Sequence, residues 1–220
     1  MIQTEHHFTA RLALEVTSNY LLYLPEYHQE RDDWPLIVFL HGSGERGDDI
    51  ALVRKHGLPR LLEEGLTLPA VVLSPQCPAG RLWTLQLPAV KALIDRVAAE
   101  YQVDYRSIVA TGLSLGGAGA YELVSLYPET FAAVVPICGP WTRLFVTDES
   151  AMLPTWVFHG DADPVVPIAE SHQLIDEIEQ RGGRPRLTVY PGVGHNSWDP
   201  AYEDDELLSW LVRPPQGRTV

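Results

Sequence analysis

The chain has 220 residues, 45% of them hydrophobic and 20% charged, a balance that excludes disordered, collagen-like and low-complexity classes. Its length suffices to bury a core without disulfide or metal staples. With 16 Lys and Arg against 29 Asp and Glu, the net charge is −13; such a chain repels phosphate backbones and anionic lipid, so no nucleic-acid partner is expected.

Two cysteines, Cys77 and Cys138, make neither a disulfide framework nor a pair with zinc-ligand spacing. The N-terminus has no basic segment followed by a long apolar run, so no signal peptide is expected. The longest aliphatic runs, such as residues 36–40, fall far short of the roughly 20 residues of a membrane span. The expectation is a cytoplasmic protein without a membrane span, and nothing in the sequence assigns an oligomeric state.

In chain order, residues 7–16 and 20–24 read as two strands joined by the turn signal Ser18-Asn19, and 31–35 as a polar loop. Residues 36–40 are a continuous apolar run, the mark of a strand buried on both faces. A short helix over 58–65, a buried strand over 71–74 and a periodic helix over 87–101 follow. Next come a strand over 108–111, a helix over 115–127 that Pro128 helps to end, and buried strands over 132–137 and 156–158. A helix over 168–181 is closed by Gly182-Gly183, a strand covers 187–190, and the last helix covers 203–211. Residues 214–220 read as a tail, which leaves one domain over 1–213. Buried strands alternating with helices predict a mainly parallel sheet of about eight strands with an antiparallel N-terminal edge and helices on both faces. In such sheets ligands bind beyond the carboxyl ends of the strands.

Residues 112–117 read GLSLGG between the strand at 108–111 and a helix. Gly-x-Ser-x-Gly in that context describes a sharp turn that pushes a serine hydroxyl above the sheet edge, with Gly112 and Gly116 removing side chains that would collide. Gly117, Ala118, Gly119 and Ala120 let the helix sit close to the sheet. Ser114 is therefore the candidate nucleophile, and a serine hydroxyl needs a base. Of eight histidines, His6, His7 and His28 precede the parallel sheet, and His56 and His172 fall on helical or loop surfaces. His41 and His159 each precede a glycine at a strand end and read as turn braces. His195, in GVGHNSW after the last strand, can reach over Ser114. Its orienting carboxylate would come from HGDADPVVP at 159–167, where Asp161 and Asp163 both qualify by position; Asp199 is a weaker third choice. The order serine, acid, histidine is that of α/β-hydrolases, not of the chymotrypsin or subtilisin folds. An oxyanion hole would take the backbone N–H of Leu115 and one from HGSGERGDD at 41–49, Ser43 first and Gly44 second.

These motifs resemble the α/β-hydrolase superfamily. Within it, the chain is similar to the phospholipase/carboxylesterase group, with its acyl-protein thioesterases, and to esterases labelled predicted peptidases. LHGSGERGDD, SPQCPAG followed by Trp83, GLSLGG, HGDADPVVP and GVGH match that group in order over residues 40–195. The resemblance puts the acid on Asp163 and leaves Asp161 to tie its turn. Gln76, Trp83 and Trp198 are the candidate pocket residues, with core filling the alternative for both tryptophans. Glu45, Arg46, Asp48 and Asp49 read as a salt-bridged loop scaffold, Cys77 and Cys138 as small buried hydrophobes, and the acidic run near 199–206 as a favourable helix start.

The expected function is a serine carboxylesterase using Ser114, His195 and Asp163, with Ser43 and Leu115 holding the oxyanion and no metal or cofactor. The expected substrate is a small-molecule ester. Alternatives are a thioesterase, a lysophospholipase, a peptidase, or a non-catalytic binding member of the fold. The stretch 140–154, where such folds carry lids, is too short for a cap domain, so the site should be an open cleft for short-chain esters, roughly C2 to C6.

Overall fold

The computed structural model describes residues 17–30, 32–140 and 146–215. Seven strands form one sheet: β1 (Tyr20–Tyr23), β2 (Trp34–Leu40), β3 (Val71–Pro75), β4 (Val103–Leu113), β5 (Ala133–Ile137), β6 (Trp156–Gly160) and β7 (Arg186–Tyr190). Their order is β1-β3-β2-β4-β5-β6-β7. β1 runs antiparallel to β3, and every other pairing is parallel. This is the mainly parallel α/β sheet with an antiparallel edge that the sequence predicts. The strand expected over residues 7–16 lies outside the described residues, as do His6 and His7.

The helices are α1 (Gly57–Glu63), α2 (Leu87–Glu100), α3 (Leu115–Leu126), α4 (Asp148–Ala151), α5 (Ala169–Gln180), α6 (Trp198–Tyr202) and α7 (Asp205–Val212). They divide between the two faces because the central strands alternate. Leu36, Val38 and Leu40 enter one core with Ile94 of α2 and Leu123 and Val124 of α3. Ile37 and Phe39 enter the other with Leu58 of α1 and Leu207 and Leu211 of α7. A strand covered on both sides has no polar face to show, which is why these segments read as unbroken apolar runs.

The structure departs from the sequence reading in three places. Trp34 and Pro35, expected in a polar loop, belong to β2. β4 begins at Val103 rather than at 108, because Trp34 pairs with Val103 before the register shifts and Leu36 pairs with Ile108. The polar residues between are tied to each other, the Asp104 carboxylate accepting from the Arg106 N–H at 3.0 Å and the Ser107 hydroxyl at 3.3 Å. Third, the five-residue α6 is unexpected; it is too short to show periodicity and contains Pro200. The acidic run then starts α7 two residues later than expected, with Asp204 accepting from the Glu206 N–H at 2.8 Å.

Topology locates the crevice. From β2 the chain steps outward to β3, then returns to the other side of β2 as β4. The carboxyl ends of β2 and β4 are neighbours, with Leu40 opposite Gly112, and the loops after them leave at the point where the strand order reverses. α3 enters this crevice at backbone contact. A Cβ on Gly116 would lie 1.9 Å from the Leu40 carbonyl oxygen, and one on Gly112 would lie 2.3 Å from that of Gly116. No helix among the described residues is long and apolar enough to cross a membrane.

Gly116→Ala should therefore destabilise the fold by about 3 kcal/mol or prevent folding, since backbone cannot yield as a side chain can. Gly44→Ala, where an added Cβ meets nothing within 4 Å, should change stability by less than about 0.5 kcal/mol. Urea unfolding of both variants measures the contrast.

Candidate active site

Ser114 sits between β4 and α3 with φ 53° and ψ −120°, a region that costs a residue with a Cβ on the order of 1–3 kcal/mol. Three backbone hydrogen bonds hold it there. Its N–H donates to the Ile137 carbonyl at 2.9 Å, and its own carbonyl accepts from Gly117 at 2.8 Å and Ala118 at 3.2 Å. The turn leaves the hydroxyl partly exposed above the sheet edge, with the N–H of Leu115 among the first amides of α3, which have no acceptor within the helix.

The loop after β2 lies alongside. Gly42 packs against Leu113, a Cβ there meeting the Leu113 side chain at 2.8 Å, so Ser43 follows directly from a contact with the strand that delivers Ser114. His41 is 1% exposed. Its Nε2 accepts from the Cys77 N–H at 2.9 Å, so Nδ1 carries the proton and donates to the Gly42 carbonyl at 2.6 Å. Burial pushes the His41 pKa down to about 4, consistent with a neutral ring clamping two loops.

Gln76 and Trp83, expected in the pocket, are only 3% and 1% exposed. Gln76 donates to the carbonyls of Glu45 at 3.0 Å and Asp49 at 2.8 Å. Trp83 donates to the His41 carbonyl at 3.0 Å and packs against Gly119. Both lie in the core and brace the loop after β2. Arg46 likewise donates to the carbonyls of Ser43 and Arg81, so backbone acceptors, more than salt bridges, hold this loop.

The acid and the histidine come from the loops after β6 and β7, which are stitched by backbone. Asp161 N–H donates to the Tyr190 carbonyl at 3.2 Å and Ala162 N–H to that of Val193 at 3.1 Å. The Asp161 carboxylate accepts from the Gly192 N–H at 2.6 Å, while Asp163 turns inward. His195 Nδ1 lies 2.7 Å from Asp163 Oδ2, and its Nε2 lies 2.9 Å from Ser114 Oγ. Asp199 instead accepts from Asn196 and lies 3.6 Å from Arg60. Trp198 stands edge-on to the His195 ring at 5.3 Å and backs it, largely buried.

The Asp163 carboxylate also accepts the N–H groups of Val165 at 2.8 Å and Val166 at 3.0 Å on Oδ1. Burial opposes its charge, but the hydrogen bonds from His195, Val166 and Val165 outweigh that and hold its carboxyl below the usual carboxylate range. Two neighbours carry no spacing signal. His159 reaches Asp163 from within the fold, and Cys138, with φ 41°, lies beneath. Cys138, Asp163 and His195 form a group whose ligand-type atoms all lie within 4.8 Å of one another. Burial pushes the Cys138 thiol up to about 12, and the other two are already hydrogen-bonded together, so the trio does not present a ready metal site.

A model of the dienelactone hydrolase family matches residues 81–205. A probable carboxylesterase of Oryza sativa subsp. japonica is 27% identical over 74% of this chain and 82% of its own length. A second protein of that plant, named a probable inactive carboxylesterase, is 30% identical over 57% of this chain and 52% of its length. Among solved structures, a thermostable esterase is 35% identical with a TM-score of 0.75, covering 87% of this chain, which spans 58% of that protein.

Acidification should expose the cost of burying His41. With a folded pKa of about 4 against 6.5 for the ordinary group, the neutral ring carries no penalty above about pH 6.5. Stability is then lost as pH falls toward about 4, by about 3 kcal/mol in all. Urea unfolding at about pH 7.5 and about pH 4 should show that extra loss in the wild type and not in His41→Gln.

Proposed function

The chain belongs to the dienelactone hydrolase family, α/β-hydrolases that cleave carboxylic esters, and from that premise we propose that it hydrolyses short-chain, water-soluble esters through Ser114, His195 and Asp163. The observation that carries this reading is the continuous hydrogen-bonded line from Asp163 Oδ2 through the His195 ring to Ser114 Oγ, at 2.7 and 2.9 Å. Ser114 Oγ attacks the acyl carbonyl while His195 Nε2 takes its proton. Asp163 fixes the histidine with its proton on Nδ1 and stabilises the imidazolium as it forms. The N–H groups of Ser43 and Leu115 receive the oxyanion, each worth on the order of 10²–10³ in rate. The tetrahedral intermediate then expels the alcohol, protonated by His195, and water, deprotonated by the same nitrogen, releases the acid.

The connection after β5 supports a short acyl group. Its described part holds only the four-residue α4, and a link this short does not build a cap over Ser114. The described residues place no cap over the cleft, which supports a preference for small acyl groups and no activation at an oil–water interface. The plant relative called probably inactive keeps a non-catalytic reading in view. Stoichiometric labelling of Ser114 by a fluorophosphonate supports catalysis, and absence of labelling overturns it.

Ser114→Ala should lower kcat by roughly 10⁶-fold and Asp163→Asn by on the order of 10⁴-fold. Asp161→Asn should keep kcat and lose up to about 1 kcal/mol of stability, because the Gly192 N–H then bonds a neutral amide oxygen instead of a carboxylate. If Asp161→Asn is the inactive variant, the two aspartates are misassigned.

Across p-nitrophenyl esters, kcat/KM should fall from butyrate to laurate, and EDTA should change nothing. Faster turnover of the laurate would reveal an acyl tunnel.

A further inference from the structure

The loop that carries Asp163 has a second histidine beneath it. His159 is the penultimate residue of β6, fully buried. Its Nε2 lies 2.9 Å from the Val166 carbonyl and 3.2 Å from Asp163 Oδ2. Both are acceptors, so Nε2 carries a proton; its hydrogen bond goes to the Val166 carbonyl, and the ring edge abuts Asp163 Oδ2. Nδ1 is fixed from the far side by the Ser171 hydroxyl of α5 at 2.7 Å. The ring thus cannot rotate without losing bonds at both ends, and a buried donor left unpaired costs about 1–3 kcal/mol.

The Asp163 carboxylate is thereby bounded on four sides. Oδ1 takes two backbone amides, and Oδ2 takes the His195 hydrogen bond from the cleft side and meets the edge of the His159 ring, 3.2 Å away, from the interior. The amides fix one oxygen. The other, which meets His195, would otherwise be set by His195 alone, the partner whose charge changes during turnover.

We propose that His159 is a positioning residue, which keeps Asp163 Oδ2 on the axis of the His195 Nδ1–H as the imidazolium forms and decays. This rests on the triad reading above and extends it by one residue inward. His159 touches no substrate, so its contribution appears only where His195 takes up the proton. Removing it lowers kcat and leaves KM unchanged.

The test compares His159→Leu with His159→Gln on a p-nitrophenyl butyrate substrate, normalised to folded protein by near-UV circular dichroism. Leucine fills space without a donor, whereas glutamine returns an N–H to the Val166 carbonyl and a polar group beside Asp163 Oδ2. His159→Leu should lose about 10- to 100-fold in kcat, the scale of a small misplacement of a reacting group, with KM unchanged. His159→Gln should recover most of it. If His159→Leu does not fold, Ser171→Ala frees the ring at Nδ1 and should lower kcat in the same direction by less. A folded His159→Leu with unchanged kcat, a loss expressed in KM, or no recovery in His159→Gln overturns the proposal. Fluorophosphonate labelling of wild-type Ser114 keeps the two readings apart: no labelling sinks the triad itself, while normal labelling with unaltered kcat in His159→Leu sinks only the role of His159.

Discussion

The backbone of α3 touches the backbone of β2, and the geometry above the sheet follows from that contact. Gly112 and Gly116 allow an approach in which any Cβ would overlap a carbonyl oxygen. The turn between β4 and α3 must then close within one residue, and Ser114 accepts a positive φ to close it. Its three hydrogen bonds to Ile137, Gly117 and Ala118 keep the strained turn from relaxing. Strain of this kind persists only where the surroundings over-determine the conformation. Here they do, because β5, β2 and α3 each fix one side.

The same economy governs the neighbouring loops. Those after β2, β6 and β7 are pinned by polar side chains that bond backbone: the buried Gln76 and Trp83 beneath the first, the exposed Asp161 across the other two. Loops held through backbone can present side chains above without those side chains being needed for the fold. His41 shows the limit of this arrangement. As a neutral clamp it supports the loop of Ser43, and acid removes that support.

Much of this was legible in the sequence, and the illegible part has a common cause. Unbroken apolar runs marked strands buried on both faces, and Gly-x-Ser-x-Gly after one of them located Ser114. The late Gly-rich loop located His195. Spacing left Asp161 and Asp163 equivalent, since two residues apart in a turn face opposite ways and only the partner loop says which way is inward. Gln76 and Trp83 were expected in a pocket because they follow a strand; their partners Glu45, Asp49, His41 and Gly119 lie in other segments, which local pattern does not record. β4 was cut short because residues 104–107 are polar, and a bulge that leaves paired residues on both sides has no apolar signature. The His159 ring is fixed by the hydroxyl of Ser171, which lies outside the HGDADPVVP string, so its place beneath Asp163 could not be read from that string.

Ser114 and His195 are separated by 81 residues, and Asp163 and His195 by 32. Each rides on a different strand, and each is aimed by contacts with a neighbouring strand or loop. No contiguous piece shorter than the stretch from β4 to the loop after β7 contains all three, and even that piece lacks β2, against which the turn at Ser114 is formed. Contacts of such long range form late in folding. On the proposed triad, hydrolytic activity reports complete assembly: a refolding chain that has recovered its helices but not the parallel pairing of β2 with β4 has secondary structure to show a spectrometer and nothing to show a substrate.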